Sequence, residues 1–190
     1  MMKRLITASV ILLTAFPAFS KQLTGFGMYG QAGTNTGLGL SAGAGLGYLL
    51  PTEEPGLYIE IGLGVFYYGF SENRTDETLN YVYNYTENNI IYVITAAVYF
   101  NYRPQAAGMF EVVGAGAGGV NTAWEKNSAD MPVYNDSNND TGGCVMISPG
   151  AGATFGNGFE LKAQLPVFVI FTNGGMNVRP ALTVGAGLRM

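Results

Sequence analysis

The segment GCVMISPGAGATF, Gly143 to Phe155, alternates two kinds of side chain along its length. One parity carries apolar residues, namely Val145, Ile147, Ala151, Ala153 and Phe155. The other carries mostly small or polar ones, namely Cys144, Met146, Ser148, Gly150, Gly152 and Thr154. Successive side chains of a strand point to opposite faces. The segment is therefore predicted to be a strand with apolar surroundings on one face and a tight or wet interior on the other.

The same alternation recurs in eight blocks. The predicted strands are Leu23–Ala32, Gly37–Leu50, Leu57–Phe70, Ile90–Tyr102, Ala107–Asn121, Gly143–Phe155, Phe159–Phe171 and Val178–Met190. Each block meets or exceeds the roughly 9–11 residues of a tilted membrane strand. These blocks predict an all-β fold, an eight-stranded antiparallel transmembrane up-and-down β-barrel.

The connections between the blocks fall into two sets. Short turns follow the second, fourth and sixth strands, at Pro51–Gly56, Arg103–Ala106 and Gly156–Gly158. The long, polar and acidic connections are Ser71–Asn89 and Thr122–Gly142, after the third and fifth strands. All long loops therefore lie at one end, which is the topology of outer-membrane barrels with short periplasmic turns and long extracellular loops.

The first residues, Met1–Ser20, are typical of a secretory signal. Lys3 and Arg4 precede an apolar run from Leu5 to Phe16, and Ala18 and Ser20 supply small residues before a predicted cleavage site. The alternative is an uncleaved anchor helix, but the run is shorter than the roughly 20 residues that a membrane helix needs. We expect residues 21–190 to form the barrel domain, placed in the outer membrane after export through the inner membrane.

Composition limits the possible partners. Removal of the signal leaves 7 of the 9 Lys and Arg against 13 Asp and Glu, a net charge of −6. This acidic balance argues against nucleic acid as a partner. Cys144 is the single cysteine, so no internal disulfide can form.

Charged residues within the predicted strands mostly occupy inward-facing positions. Glu60, Glu160, Lys162 and Arg189 all lie near the short-turn ends of their strands, opposite an apolar face. A Lys or Arg that faces lipid at mid-depth costs roughly 2–4 kcal/mol, whereas pairing offsets the desolvation of buried charges. The sequence therefore predicts an ion-paired cluster of these four residues low in the lumen.

The fifth strand is the exception. Glu111 shares its parity with Val113, Ala115 and Ala117, while Gly114, Gly116 and Gly118 take the other face. Either Glu111 lies inside the barrel or a bulge switches the phase of the strand.

Two motifs have alternative explanations. Gly114, Gly116 and Gly119 match the dinucleotide-binding spacing G-x-G-x-x-G, but no amphipathic helix follows, and glycines that fill a barrel interior are the simpler explanation. Asp136, Asn138 and Asp140 alternate in a loop, where oxygen ligands at that spacing form a weak cation candidate. A solvated acidic loop is favoured over that cation site.

Three alternating tyrosines precede the fourth strand, at Tyr81, Tyr83 and Tyr85. One interpretation is a tyrosine-bearing ribbon above the membrane, suited to surface recognition because tyrosine combines a large contact area with few torsions. The other places them in the interfacial aromatic belt with Tyr67, Tyr92, Trp124 and Phe171. Their position along the barrel axis decides between the two.

The signal, the eight alternating strands, the two long outer loops and Gly-Ala-Gly strands such as Val113–Gly118 and Val184–Gly187 together resemble the small OmpA/OmpX/opacity-type outer-membrane β-barrels of Gram-negative bacteria. In such families the strands carry the fold and the outer loops contact host or partner surfaces. The resemblance implies a monomer whose partners are outer-membrane lipids and lipopolysaccharide, the barrel assembly machinery during biogenesis, and a host or cell-surface ligand of the outer loops.

Enzymatic chemistry is limited by the absence of histidine. Ser–His and Cys–His nucleophile pairs and histidine metal sites cannot be assembled, and the barrel enzymes that act on lipid A depend, as families, on histidine. We therefore expect a non-enzymatic barrel without a cofactor, which contributes to envelope structure and presents its outer loops for adhesion or surface interaction. The alternatives are a narrow, porin-like pore or small-ligand carrier through a glycine-rich lumen and, remotely, a lipid-modifying enzyme.

Overall fold

The computed structural model describes residues 26–35, 39–54, 56–100, 108–128, 132, 135–173 and 175–190. The predicted signal Met1–Ser20 and the predicted turn Arg103–Ala106 lie outside the described residues. No helix within the described ranges is long and apolar enough to cross a membrane.

Nine strand segments make up the described structure. They are β1 (Phe26–Asn35), β2 (Leu40–Pro51), β3 (Leu57–Asp76), β4 (Tyr81–Phe100), β5 (Gly108–Asn127), β6 (Asp136–Thr154), β7 (Phe159–Gln164), β8 (Val167–Thr172) and β9 (Gly175–Arg189). From β1 to β7 each strand pairs antiparallel with the next, and β7 and β8 each pair with both β6 and β9. Because β1 also pairs with β9, the sheet closes into a ring. The predicted all-β, antiparallel up-and-down barrel is confirmed.

Segments β7 and β8 behave as one strand interrupted at Pro166. Against β6 the register is the same on both sides of the gap, with Gly150 opposite Gln164 and Ile147 opposite Val167. Proline has no N–H to give to a ladder. The backbone nevertheless bonds across the gap, because Leu165 N donates to Pro149 O (2.9 Å) and Ala181 N donates to Pro166 O (2.9 Å). If β7 and β8 are counted as one strand because they share one register, the barrel has eight strands.

The two faces of the sheet divide as the alternation predicts. Outward side chains such as Leu63, Ile94 and Val184 are exposed over 61–65% of their surface, as expected of a face that contacts lipid. Inward side chains such as Phe66 and Phe168 are almost fully buried.

Glycines on the inward face leave room for large side chains of neighbouring strands. A Cβ on Gly47 would lie 2.6 Å from the carboxyl carbon of Glu60, and one on Gly43 would lie 2.6 Å from the ring of Phe66. Both distances are shorter than real Cβ contacts, so either glycine can be replaced only if its neighbour moves. The glycine-rich strands therefore pack against bulky side chains.

The long connections are largely strand, which corrects the predicted loops. The third strand continues from Phe70 to Asp76 and the fourth begins at Tyr81 rather than Ile90. The fifth runs on to Asn127, and the sixth begins at Asp136 rather than Gly143. We call these strand extensions the projecting sheet. It comprises Ser71–Asp76, Tyr81–Asn89, Thr122–Asn127 and Asp136–Gly142.

A tight turn ends the hairpin between β3 and β4. The Asp76 carboxylate accepts hydrogen bonds from the backbone N–H groups of Thr78 and Leu79, both at 3.0 Å. Asn80 adopts a φ of +51°, in the left-handed region that asparagine tolerates better than most residues. The hairpin is thus specified by its own turn residues.

Glu111 faces outward, so neither prediction for the fifth strand was right. The register of β5 with β4 reaches this position without a break, and the register with β6 continues past it, which leaves no bulge to switch the phase. Glu111 lies opposite Phe100, close to the short-turn end of the barrel. A carboxylate near the membrane interface costs far less than a charge at mid-depth, which explains its place on the outer face.

Outward aromatic side chains lie at two levels of the barrel wall. Tyr67, Tyr92 and Phe171 mark the outer level, and Phe26, Tyr48, Phe100 and Phe155 mark the level near the short turns. Tyr92 and Phe100 lie eight residues apart on β4, which corresponds to about 20 Å of height for a tilted strand. Such a separation fits the two aromatic girdles that border an apolar band.

Candidate functional site: the lumen and the outer mouth

The lower lumen holds an arginine between two glutamates of different strands. Arg189 on β9 places Nη2 2.5 Å from Oε2 of Glu60 on β3, and its Nε 2.7 Å from Oε1 of Glu160 on β7. All three side chains are buried. The structure thus brings together three of the four charged residues that the sequence assigned to this cluster as direct ion-pair partners.

Lys162, the fourth residue, contacts the aromatic ring of Tyr29 in the same part of the lumen. Its Nζ lies 3.8 Å from the centroid of Tyr29, and the side chain is buried. A cation over the face of a tyrosine is attracted by the ring quadrupole. Glu60 receives a further long hydrogen bond from the Tyr99 hydroxyl, at 3.4 Å. Ionic and aromatic contacts therefore combine to fill the lower lumen.

Hydrophobic side chains close the lumen above this cluster. We call this group the apolar plug; it comprises Phe66, Tyr68, Phe70, Ile91, Val93, Val120, Cys144, Met146, Phe168, Ile170 and Ala181. The rings of Phe66 and Phe168 meet edge to face across the interior, with centroids 5.3 Å apart. Aromatic pairs favour this geometry, and the interior of an eight-stranded barrel is just wide enough for side chains to fill.

A second ion pair, which the sequence did not predict, lies at the outer mouth. Arg179 on β9 places Nη2 2.9 Å from Oε2 and 3.0 Å from Oε1 of Glu87 on β4. The Glu87 carboxylate also accepts hydrogen bonds from Asn89 Nδ2 (2.9 Å) and from the Tyr85 hydroxyl (3.0 Å). Asn89 in turn accepts a 2.6 Å hydrogen bond from the Thr122 hydroxyl. The mouth cluster thus joins three strands: β4, β5 and β9.

One signal for the mouth cluster was present in the sequence. Arg179 shares the inward parity of Arg189 on the same strand, so alternation alone places it inside the barrel. Glu87 fell within a predicted loop, where no parity could be assigned. Glu87 could therefore not be predicted as the partner of Arg179, because the predicted strand began only after it.

Tyr81, Tyr83 and Tyr85 lie on the inward face of β4, continuous with Glu87. The ring of Tyr85 stacks on that of Trp124 with centroids 6.3 Å apart, and Tyr81 lies 5.7 Å from Tyr83. The predicted ribbon exists, but its tyrosines point over the barrel mouth. Trp124 shares this face, so its predicted place in the lipid-facing belt is wrong, whereas Tyr67, Tyr92 and Phe171 do face outward.

Cations border this aromatic face. The Arg74 guanidinium carbon lies 3.9 Å from the centroid of Tyr85, and Lys126 Nζ lies 5.6 Å from the centroids of both Tyr83 and Trp124. Partial burial and the neighbouring Glu87 carboxylate raise the pKa of Tyr85 to about 12. The phenol therefore keeps its proton and its hydrogen bond to Glu87 at neutral pH.

Asp136, Asn138 and Asp140 lie at the start of strand β6, not in a loop. Alternate residues of a strand are about 7 Å apart, so the three side chains spread over about 14 Å. Calcium takes its oxygen ligands at about 2.3–2.6 Å, so this extended arrangement does not converge on one ion. No group of three or more metal-ligating His, Cys, Asp or Glu residues occurs within the described ranges.

The glycines of the G-x-G-x-x-G pattern are equally extended. Gly114, Gly116 and Gly119 all lie inside the uninterrupted strand β5, with no turn or helix after them. A dinucleotide fingerprint needs its glycines at a strand-to-helix turn. The pattern here belongs to the barrel wall.

No protein-family model and no curated protein matches the chain in sequence. Solved structures do match in fold. Neisserial surface protein A is 13% identical with a TM-score of 0.50, covering 90% of this chain and 100% of that one. A major outer membrane protein from Thermus thermophilus is 13% identical with a TM-score of 0.52, covering 87% and 98%. The outer membrane enzyme PagL is 11% identical with a TM-score of 0.46, covering 86% and 99%.

At such low identity the likeness concerns the fold alone. It agrees with the ring closure, the strand order and the division of the two faces described above. The chain has the fold of the small outer-membrane β-barrel proteins, the architecture that its resemblance to the OmpA/OmpX type implied.

Proposed function

We propose that this protein is a non-enzymatic barrel of the outer membrane that contributes to envelope structure and presents the projecting sheet for adhesion or surface interaction. The observation that carries the proposal is the contrast between a filled lumen and a projecting, regular outer sheet. Its surroundings would be outer-membrane lipids and lipopolysaccharide, reached with the help of the barrel assembly machinery.

The interior supports a scaffold rather than a passage. Arg189 with its glutamates fills the lower lumen, the apolar plug lies above, and the pair of Arg179 and Glu87 lies at the mouth. An ion or small molecule that crosses the barrel would have to pass the partly buried pair of Arg179 and Glu87, the apolar plug and the buried Arg189 cluster. This packing argues against the pore or carrier alternative.

The carboxylates support a structural role as well. Glu60 and Glu160 were the only strong lumen candidates for acid–base chemistry, and both are bound by the Arg189 guanidinium. A general acid or base needs a pKa near the working pH and access to a substrate. Two buried carboxylates bound to one guanidinium are not accessible to a substrate, which weighs against the lipid-modifying alternative.

The projecting sheet supports a role in contact. Its strands are paired in register up to the turn after Asp76. Such a sheet is ordered before any partner arrives, so binding loses less conformational entropy than it would with a floppy loop. Aromatic and cationic side chains on its inward face add large contact area.

The experiment removes the projecting part and keeps the barrel. Ser71 lies opposite Thr86, and Trp124 lies opposite Asn138, so residues 72–85 and 125–137 can each be replaced by a short turn without a change of register. We expect the shortened protein to fold, as shown by heat-modifiable migration on a detergent gel. Bacteria that express it should adhere less to epithelial monolayers than bacteria that express the full chain.

Two results would contradict the proposal. Unchanged adhesion after removal of both hairpins would show that the projecting sheet does not bind. Recovery of the full chain as a soluble periplasmic protein would remove the membrane barrel itself.

A further inference from the structure

Strand β3 has an open edge where it leaves the barrel. Its ladder with β2 ends at the pair of Leu40 and Gly69, whereas its ladder with β4 continues to Asp76. Within the described ranges, Ser71–Asp76 thus has a strand neighbour on one side only. An edge of this kind presents backbone N–H and C=O groups to another strand, and no proline blocks it.

The charges along this edge are self-complementary. We propose that the β3 edge pairs antiparallel with the β3 edge of a second copy of this chain, with the two-fold axis at Asn73. In that register Glu72 lies directly opposite Arg74 of the second copy, and Arg74 lies opposite its Glu72. Ser71 meets Thr75. Opposite charges at directly facing positions of an antiparallel pair stabilise it. This inference names a partner for the proposed surface function and rests on it.

The Arg74 guanidinium has contacts within its own chain but is not buried by them. Arg74 Nη2 lies 2.5 Å from Oε1 of Glu72 in its own chain, and the guanidinium lies over the Tyr85 ring. About 40% of each side chain stays exposed. Arginine has five N–H donors, so Arg74 can keep its own Glu72 and bind the second glutamate as well.

Charge also decides how the two copies are oriented. In a parallel, in-register pair Glu72 would face Glu72 and Arg74 would face Arg74, which is repulsive. Copies in one membrane hold β3 in the same direction, from the short-turn end outward. Antiparallel pairing therefore places the second copy in an opposing membrane, and the contact joins two cells or two vesicles.

The other open edge does not offer the same match. On β6 the ladder with β8 ends at Gly143, so Asp136–Gly142 also forms an edge within the described residues. Self-pairing about Asn138 would place Asp136 opposite Asp140, two negative charges. The complementary edge is thus the one on β3.

The test uses the full mature chain in vesicles of zwitterionic phospholipid, with two populations carrying different fluorescent labels. Clustering is measured by light scattering and by coincidence of the two labels. Wild-type vesicles should cluster, and less so as salt rises, because the pairs are exposed. Glu72→Arg leaves two positive charges and Arg74→Glu leaves two negative ones, and each variant alone should cluster at least about tenfold less.

The decisive arm mixes the two variants. Vesicles that carry Glu72→Arg should cluster with vesicles that carry Arg74→Glu, because the opposing charges match again. Asp136→Asn on the β6 edge is the control; it creates no opposite-charge pair with Asp140 and should cluster like the wild type. Heat-modifiable migration on a gel shows that every variant is folded before it is used.

Three results would overturn the inference: wild-type vesicles that stay dispersed, single variants that cluster as well as the wild type, or a mixture that does not recover. Dispersed vesicles from a protein that still confers hairpin-dependent adhesion to epithelial cells would remove the pairing of copies and leave the proposed function standing.

Discussion

Arg189 and Glu60 lie 2.5 Å apart across the lower lumen, although 129 residues separate them in the chain. The same guanidinium binds Glu160, so one side chain bridges two buried carboxylates. Arg189→Met would leave both carboxylates buried without the guanidinium that binds them directly. Breaking a buried pair costs about 3–5 kcal/mol, and we expect a loss of that size in the free energy of unfolding, measured with denaturant in lipid vesicles.

Arg74→Met is the control for that experiment, since it breaks an ion pair whose side chains are 39% and 44% exposed. Exposed pairs contribute roughly 0–1 kcal/mol, so the stability should hardly change. Equal losses for the two variants would mean that Arg189 is not the electrostatic centre of the barrel.

The apolar plug can be tested in the same assay. Phe168 is completely buried against Phe66, and Phe168→Ala should lower the free energy of unfolding by roughly 3–5 kcal/mol. Leu40→Ala, at an outward position that is 72% exposed, should cost clearly less. A planar bilayer that contains the wild-type barrel should show no steady current. Steady conductance would rule out the filled lumen.

Substitutions at two adjacent glycines test whether the glycine pattern serves barrel packing or nucleotide binding. A Cβ on Gly118 would lie 1.8 Å from the carbonyl oxygen of Tyr92, whereas one on Gly119 has its nearest neighbour at 3.8 Å. Gly118→Ala should therefore destabilise the protein by at least roughly 1–3 kcal/mol, and Gly119→Ala should be close to neutral. The nucleotide motif requires Gly119 and not Gly118. A larger effect of Gly119→Ala than of Gly118→Ala would therefore favour the nucleotide explanation.

Tyr85 should lose its proton at a higher pH than an ordinary tyrosine. Burial, followed by the charge of Glu87, raises its pKa to about 12 from the usual 10. The unfolded chain releases this proton near pH 10 and the folded chain only near 12, so the contribution of Tyr85 to stability is full below pH 10 and is lost as pH rises from 10 to 12. The tyrosinate absorbance that disappears in Tyr85→Phe should have its midpoint near pH 12.

Glu87→Gln provides the check on that assignment. Removal of the carboxylate charge should lower the pKa of Tyr85, so its tyrosinate signal should appear at a lower pH than in the wild type. An unchanged midpoint would mean that burial alone holds the proton.

The barrel could be predicted from the sequence because every strand within the membrane has one face in contact with lipid. Along Val145, Ile147 and their counterparts, the outward positions must be apolar, and the period of two is plain. Above the lipid this constraint ends. On the extension of β4 three of the four outward residues are polar, namely Asn84, Thr86 and Asn88 beside Val82, and the large rings point inward. The outward positions there no longer carry the apolar pattern of the membrane-spanning part.

The start of β6 shows the same limit in a stronger form. Asp136–Thr141 is polar at every position, and only its backbone ladder with β5 makes it a strand. Glu87 could not be matched with Arg179 for the same reason, because its segment gave no alternation from which to read a face. Glu111 was misjudged because depth, not parity alone, decides what a charge on the outer face costs.

The seam between β1 and β9 has a consequence for the order of folding. It pairs Gly27 with Arg189 and Asn35 with Ala181, so it joins segments about 150 residues apart. The hairpin of β3 and β4 instead pairs neighbours along twenty residues a side. Closing a long loop costs entropy that local contacts do not. Pulse-labelled hydrogen exchange should therefore find the β3–β4 hairpin protected early and the seam last, so that the barrel exists first as an open, curved sheet that grows outward from its most local hairpin.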